Sequence, residues 1–173
     1  MNEVEIKILE INRLEVENKL INIGAKKIFE DEMIAYYYEK AHSREEGFVI
    51  RIRKDGEKNI FTVKKKISNE KTKITDEIEV EVKDFDKMNK ILELLGYKFF
   101  LKIRKHRTQY EIEKVHFAFD KYLDDWAFIP EFLEIESDNE EDVFNYAKKL
   151  GFKKEDCKPW GGWTLHSYYS KKN

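Results

Sequence analysis

The stretch MNEVEIKILE, residues 1–10, admits two opposite readings, and the choice between them decides the fold. As a β-strand it points Glu3, Glu5 and Lys7 to one face and Val4, Ile6 and Ile8 to the other. The ordinary reading puts the acids in water and the aliphatics in a core. The inverted reading puts the charges inside, lining a cavity, and leaves the aliphatics for an outer layer to cover. One strand does not choose between them; the remaining strands do.

The chain of 173 residues suits one domain, expected to span 1–173. Charged residues make up 39% and hydrophobic ones 41%, a composition that excludes a disordered tail. A net charge of −2 gives no global attraction to nucleic acid or to an anionic membrane. The lone Cys157 rules out an internal disulfide and points to a reducing compartment. No apolar run is long enough to span a bilayer and the N-terminus has no signal-peptide core, so the cytoplasm is the expected location.

Three helices are legible. Asn12 caps the first, with Glu15 as its capping-box partner, and Gly24 ends it. The second runs from about Asp86 to Leu95 and stops at Gly96; the third starts near Asp138 and stops at Gly151. Leu14, Leu20 and Ile21 are expected to form the apolar stripe of the first, and Met88, Ile91, Leu92 and Leu95 that of the second. Each helix follows an acidic alternating segment, EVEIK, EIEVEVK or FLEIES, so the chain carries a weak repeat of Glu-x-Glu strand, helix and Gly. Counting the intervening segments gives eight strands: VEIKIL, IAYYYE, FVIRIRK, NIFTVKKK, DEIEVEV, LKIRKHRTQYEI, VHFAFDKYL and EFLEIES. Eight antiparallel strands are enough to close a barrel. The predicted class is α+β, mainly β.

Alternation within these strands sorts the charges by face. Arg51 and Arg53 lie opposite Ile50 and Ile52; Thr62 and Lys64 lie opposite Phe61 and Val63. Glu77, Glu79 and Glu81 share a face, as do Lys105 and Arg107, and Glu134 and Glu136; Asp120 lies opposite Phe119. A solvated sheet face usually mixes small polar residues with both signs. Like charges two apart repel unless something binds between them. Taken together the strands favour a charged bore with helices over the aliphatic outer faces. Clustered carboxylates make a hard-oxygen site for Mg²⁺ or Mn²⁺. Clustered Arg and Lys bind phosphate oxygens. A bore with both suits a metal-chelated polyphosphate.

This ordered set resembles the CYTH superfamily, the triphosphate tunnel metalloenzymes. The motifs that carry the likeness are Glu3-x-Glu5-x-Lys7, Arg51-x-Arg53, Thr62-x-Lys64, Glu77-x-Glu79-x-Glu81, Lys105-x-Arg107 followed by Tyr110, then Asp120 and Glu134-x-Glu136. Any one is weak; the order across nearly the whole chain is specific. The resemblance implies an eight-stranded antiparallel tunnel, often dimeric, performing metal-assisted phosphoryl or nucleotidyl chemistry. By the same resemblance Lys7, Glu77, Glu79 and Glu81 are catalytic; Lys7, Arg51, Arg53, Lys64, Lys105 and Arg107 bind the triphosphate; and Glu3, Glu5, Asp120, Glu134 and Glu136 hold Mg²⁺ or Mn²⁺. One departure is KYLDDWAFIPEF, residues 121–132, where the family often has a Gly-rich turn.

Two activities share this lining: a triphosphatase of inorganic or organic triphosphates, and a class IV adenylyl cyclase making cyclic AMP and pyrophosphate from ATP. The hydrolase asks for less and is preferred. A non-catalytic polyphosphate- or nucleotide-binding module would need no carboxylates, and a nucleic-acid barrel would want an exposed basic groove with stacking aromatics. The expected partner is therefore a triphosphate-bearing small molecule, with no nucleic acid and no membrane, and with a homodimer left open. His42, His106, His116 and His166 lack metal-ligand spacing. Tyr36 to Tyr38 read as strand-favouring aromatics, Lys65 and Lys66 as rim charges, and the Trp160 to Trp163 segment as packing rather than a lid.

Overall fold

The computed structural model describes residues 2–40 and 47–172, so His42 lies outside the described residues. In chain order the elements are β1 (Asn2–Ile8), α1 (Arg13–Asn22), β2 (Lys26–Glu39), β3 (Phe48–Asp55), β4 (Lys58–Ser68), β5 (Lys73–Glu81), α2 (Phe85–Leu94), β6 (Lys98–Ile112), β7 (Val115–Tyr122), β8 (Phe132–Ser137), α3 (Glu140–Lys149), the short β9 (Cys157–Lys158) and α4 (Gly162–Ser170). The strands hydrogen-bond in the order β5-β4-β3-β2-β6-β7-β8-β1, and β1 returns to β5, so eight antiparallel strands close a barrel. The remaining strand, β9, pairs with β1 at Lys7 and Ile8.

The strand–helix–Gly repeat is a structural unit. Asn12, Asp84 and Asn139 cap α1, α2 and α3 by accepting from the backbone N–H of Glu15, Lys87 and Glu141. Gly24, Gly96 and Gly151 follow the helices at φ +93, +84 and +94, the left-handed conformation that ends a helix without a Cβ clash. Glu15 does not complete a reciprocal box; its carboxylate takes Lys19 Nζ at 2.7 Å.

The inverted reading of β1 holds. Val4, Ile6 and Ile8 are buried on the outside of the barrel among Phe117, Phe119, Leu133 and Ile135, under Val16 and Leu20 of α1 and Val143, Ala147 and Leu150 of α3. α2 covers Ile50 and Ile52 with Phe85 and Leu92. Two of the expected stripes shift. On α1 the buried pair is Val16 and Leu20, while Leu14 and Ile21 are exposed; on α2 it is Phe85 and Leu92, while Ile91 and Leu95 are exposed. Spacings of four and seven residues return each pair to one helix face. The helices also leave part of the barrel bare: Ile78 and Val80, outward on β5, are exposed.

Two elements extend the sequence reading. β2 begins at Lys26 rather than Ile34, because it pairs with β6 along almost its whole length despite the run Glu30-Asp31-Glu32. The segment after Gly161 forms α4, which buries Leu165 and Tyr169 against Trp126, Ile129 and Phe132. Within the Trp160–Trp163 stretch, Trp160 packs against this cluster, whereas Trp163 is exposed and stacks on Phe100. Among the described residues no helix is long and apolar enough to cross a membrane.

The outer-layer assignment predicts a contrast within α1. Leu20→Ala should destabilise the fold by about 2–5 kcal/mol, whereas Leu14→Ala should stay within about 0.5 kcal/mol. Urea denaturation measures both, and equal losses would place the buried face elsewhere.

Candidate active site

The barrel encloses a cavity of about 1330 Å³. Ring order explains its polarity. The three Glu-x-Glu strands, distant in sequence, are neighbours in the order β8-β1-β5. Glu5 stands opposite Glu136, Lys7 opposite Glu134, and Glu3 opposite Thr75. One wall is therefore acidic. Next to it on one side, β4 and β3 carry Lys64, Arg51 and Arg53; on the other, β7 carries Asp120 and β6 carries Lys105 and Arg107. Between the two basic regions β2 presents uncharged Met33 and Tyr37.

The charges are paired across the bore. Lys7 lies between Glu5 and Glu134, 2.6 Å from the latter. Lys64 lies between Glu3, at 2.8 Å, and Glu77. Arg51 meets Glu79 at 3.4 Å and Glu77 at 3.5 Å; Arg53 meets Glu79 at 3.3 Å. Thr62 Oγ1 donates to Glu79 at 2.8 Å. Both oxygens of Asp120 are taken by Arg107, through two bonds of 2.6 Å, and one of them also by Lys105 at 2.6 Å; Arg107 reaches Glu134 at 2.9 Å as well.

These contacts set the protonation states. Burial alone would raise the pKa of Glu5, but Lys7 and Lys73 outweigh it and bring it down to about 2. Burial opposes ionisation of Glu134 and Asp120 too, yet Lys7 and Arg107 hold the first, and Arg107 and Lys105 the second, below the usual carboxylate range. Burial and the neighbouring Arg107 push Lys105 down to about 8. Glu136 is the exception. Burial, reinforced by the Glu3 and Glu134 carboxylates, pushes it up to about 7, and it makes no ion pair among the described residues.

A hard divalent cation would let Glu136 ionise beside its neighbours, and the all-oxygen donor set fits Mg²⁺ or Mn²⁺. The carboxylates do not form a ready-made cage: among the described residues no group of three His, Cys, Asp or Glu is gathered to hold an ion. Lys7 and Lys64 are wedged between them.

Thirteen residues read from the sequence line this one cavity: Glu3, Glu5, Lys7, Arg51, Arg53, Lys64, Glu77, Glu79, Lys105, Arg107, Asp120, Glu134 and Glu136. Glu81 does not. As the last residue of β5 it stands outside the bore, largely exposed, 3.9 Å from Lys58. Sequence reasoning missed Lys73, which meets Glu5 at 2.9 Å, and Asp55, which meets Arg53 at 2.7 Å. The signal was present, since 73, 75, 77 and 79 share one parity, and so do 51, 53 and 55. Tyr37, read as strand-filling, faces the cavity.

A closed antiparallel β-tunnel with carboxylates on one wall and guanidinium and ammonium groups on the others defines the class of protein. The CYTH domain model matches residues 1–158, and the chain belongs to that family. Members of the family process triphosphates, as triphosphatases or adenylate cyclases. A protein of Methanocaldococcus jannaschii provisionally named an adenylate cyclase is 33% identical over 140 residues, which are 79% of this chain and 77% of that one. The solved structure of a Pyrococcus horikoshii OT3 protein, 26% identical, superposes with a TM-score of 0.78 over 94% of this chain and 98% of its own. A Hippeastrum protein, provisionally an adenylyl cyclase and described with a dominant triphosphatase activity, gives 0.65 at 12% identity over 96% and 95% of the two chains; it shares the fold.

The raised pKa of Glu136 has a stability consequence. In the fold the neutral form is favoured, so this residue's contribution is fully present below about 4.5 and is lost as pH rises through about 7. Glu136→Gln removes the dependence. In EDTA the melting temperature of the variant relative to wild type should rise between pH 5 and pH 8; a difference constant with pH would contradict the assignment.

Proposed function

We propose that this chain is a metal-dependent phosphohydrolase acting on inorganic or organic triphosphates. The observation that supports it is the single cavity in which an acidic wall and two basic regions face one another. Pure anion binding would need only the basic residues. Glu3, Glu5, Glu134 and Glu136 would hold Mg²⁺ or Mn²⁺, which when bound would neutralise phosphate charge and lower the pKa of a water.

The other side chains divide the remaining work. Arg51, Arg53, Lys64, Lys105 and Arg107 would bind phosphate oxygens, the arginines bidentately. Glu77, Glu79 and Asp120 hold these cations in place now, and the phosphate oxygens would take over part of their contacts. That exchange keeps the cations charged and aimed before and after binding, and it places positive charge where the leaving phosphate becomes more negative. Lys7, fixed between Glu5 and Glu134, would keep those carboxylates apart and orient them. Glu81, outside the bore, would act at most on entry. The free thiol of Cys157 is consistent with a reducing, cytoplasmic setting.

A second reading is a class IV adenylyl cyclase, in which the ribose 3′-hydroxyl of ATP attacks the α-phosphate. The name of the Methanocaldococcus jannaschii relative favours it. Phosphate release and cyclic nucleotide formation, assayed on tripolyphosphate, ATP, GTP and thiamine triphosphate with Mg²⁺ and with Mn²⁺, separate the two.

Activity should vanish in EDTA and return with Mg²⁺ or Mn²⁺; full turnover without metal would sink the reading. Glu5→Gln should cut turnover while the bases still hold triphosphate. Arg53→Ala should weaken binding as well as turnover. Each loss should correspond to about 2–4 kcal/mol, or roughly 30- to 1000-fold. Steady-state kinetics that left Glu5→Gln at the wild-type rate under saturating Mg²⁺ would remove β1 from the site.

A further inference from the structure

Part of the cavity is lined by residues outside the charged motifs. Gly161, Gly162 and Trp163, at the start of α4, line the cavity beside Tyr122 and Trp126. α4 has nine residues, and its N-cap, Gly161, provides no side-chain acceptor. The N–H groups of Thr164 and Leu165 donate to the Gly161 carbonyl, each at 3.1 Å. Those of Gly162 and Trp163 have no acceptor among the described residues. The positive end of the helix is thus bare where it meets the bore.

Tyr122 supplies an independent sign of a missing acceptor. It is 8% exposed and lines the cavity. Its hydroxyl makes no hydrogen bond among the described residues and is left free to donate into the cavity. The oxygen lies 3.3 Å from where a Cβ on Gly162 would stand. Contacts with Trp126, at 5.3 Å between ring centroids, and Phe132, at 5.7 Å, fix the ring and so aim the hydroxyl. As a phenol it carries an O–H that can donate to an anion. Lys73 brings a positive side chain to the same part of the cavity; its Cε lies 4.0 Å from where a Cβ on Gly161 would stand, and its ammonium meets Glu5 at 2.9 Å.

We propose that the N-terminus of α4 and Tyr122 together form a phosphate subsite in this part of the cavity. The N–H groups of Gly162 and Trp163 and the Tyr122 hydroxyl donate to oxygens of the outermost phosphate of a bound chain. The proposal rests on the triphosphate reading of the cavity and adds a direction to it: the phosphate chain enters with its terminus toward α4. It also accounts for glycine at 162, where a methyl group would meet the Tyr122 oxygen at 3.3 Å and Trp126 at 3.6 Å, filling the space between the donors.

Calorimetric titration of the full chain in EDTA with tripolyphosphate, and separately with pyrophosphate, tests the subsite. Wild type should bind tripolyphosphate. Tyr122→Phe, which keeps the ring and its packing, should weaken that binding about 10-fold at an unchanged melting temperature. Gly162→Ala should weaken it similarly. Pyrophosphate, one phosphate shorter and expected to sit on the arginines, should lose less than about 3-fold. Wild-type tripolyphosphate affinity in both variants would overturn the subsite while leaving the triphosphate reading intact, and so would equal weakening for the two anions. No tripolyphosphate binding by wild type would overturn both.

Discussion

The structure depends on charge neutralisation inside a closed barrel. Lone charges taken out of water cost several kcal/mol each, and here most of the bore is charged. The arrangement is tolerable because the cations bridge carboxylates from different strands. Lys7 joins Glu5 to Glu134, Lys64 joins Glu3 to Glu77, and Arg107 joins Asp120 to Glu134. Removing one partner strands another, so the lining acts as a unit rather than as separate pairs. Among the described residues of the acidic wall Glu136 makes no ion pair, and a divalent cation there would complete the neutralisation.

The helices are subordinate to this arrangement. Because the bore takes the polar faces, the apolar faces of the strands point outward and need a cover. α1, α3 and α2 provide it over β1, β8 and β3. Each leaves its acidic strand through a short capped connection and ends at a left-handed glycine, so the same device that closes the outside places one acidic strand per repeat. The ring order then gathers those strands side by side, which the linear repeat alone does not reveal.

The bore was legible from sequence because alternation is a property of single strands. Every charge read as inward on parity grounds is inward except Glu81, which has the right parity but sits at the end of β5, where the wall stops. Parity would also have yielded Lys73 and Asp55 had the strands been extended by a few residues. The lower half of β2 was hidden because consecutive acids mask its alternation, and pairing with β6 overrides that local preference. α4 was hidden for another reason. Its Gly161-Gly162 start is a poor helix signal, and its burial comes from Trp126 and Phe132, residues far away in the chain. The helix stripes were legible in part: Leu20 and Leu92 are buried as read, but Val16 and Phe85, not Leu14 and Ile91, complete the faces that meet the barrel.

The seam of the barrel carries a consequence for how the protein is made. β1 hydrogen-bonds on one edge to β5 and on the other to β8, and Val4 pairs with Ser137. A contact between positions 4 and 137 is highly non-local, and loop closure of that span is entropically costly and slow. Until β8 is in place, Glu134 is absent and Lys7 lacks one of its two partners. The acidic wall is therefore incomplete in any fragment that stops short of residue 137, since Glu134 and Glu136 are missing from it. The barrel cannot close without β8, and a chain truncated before it would present an open sheet edge instead of a smaller working site.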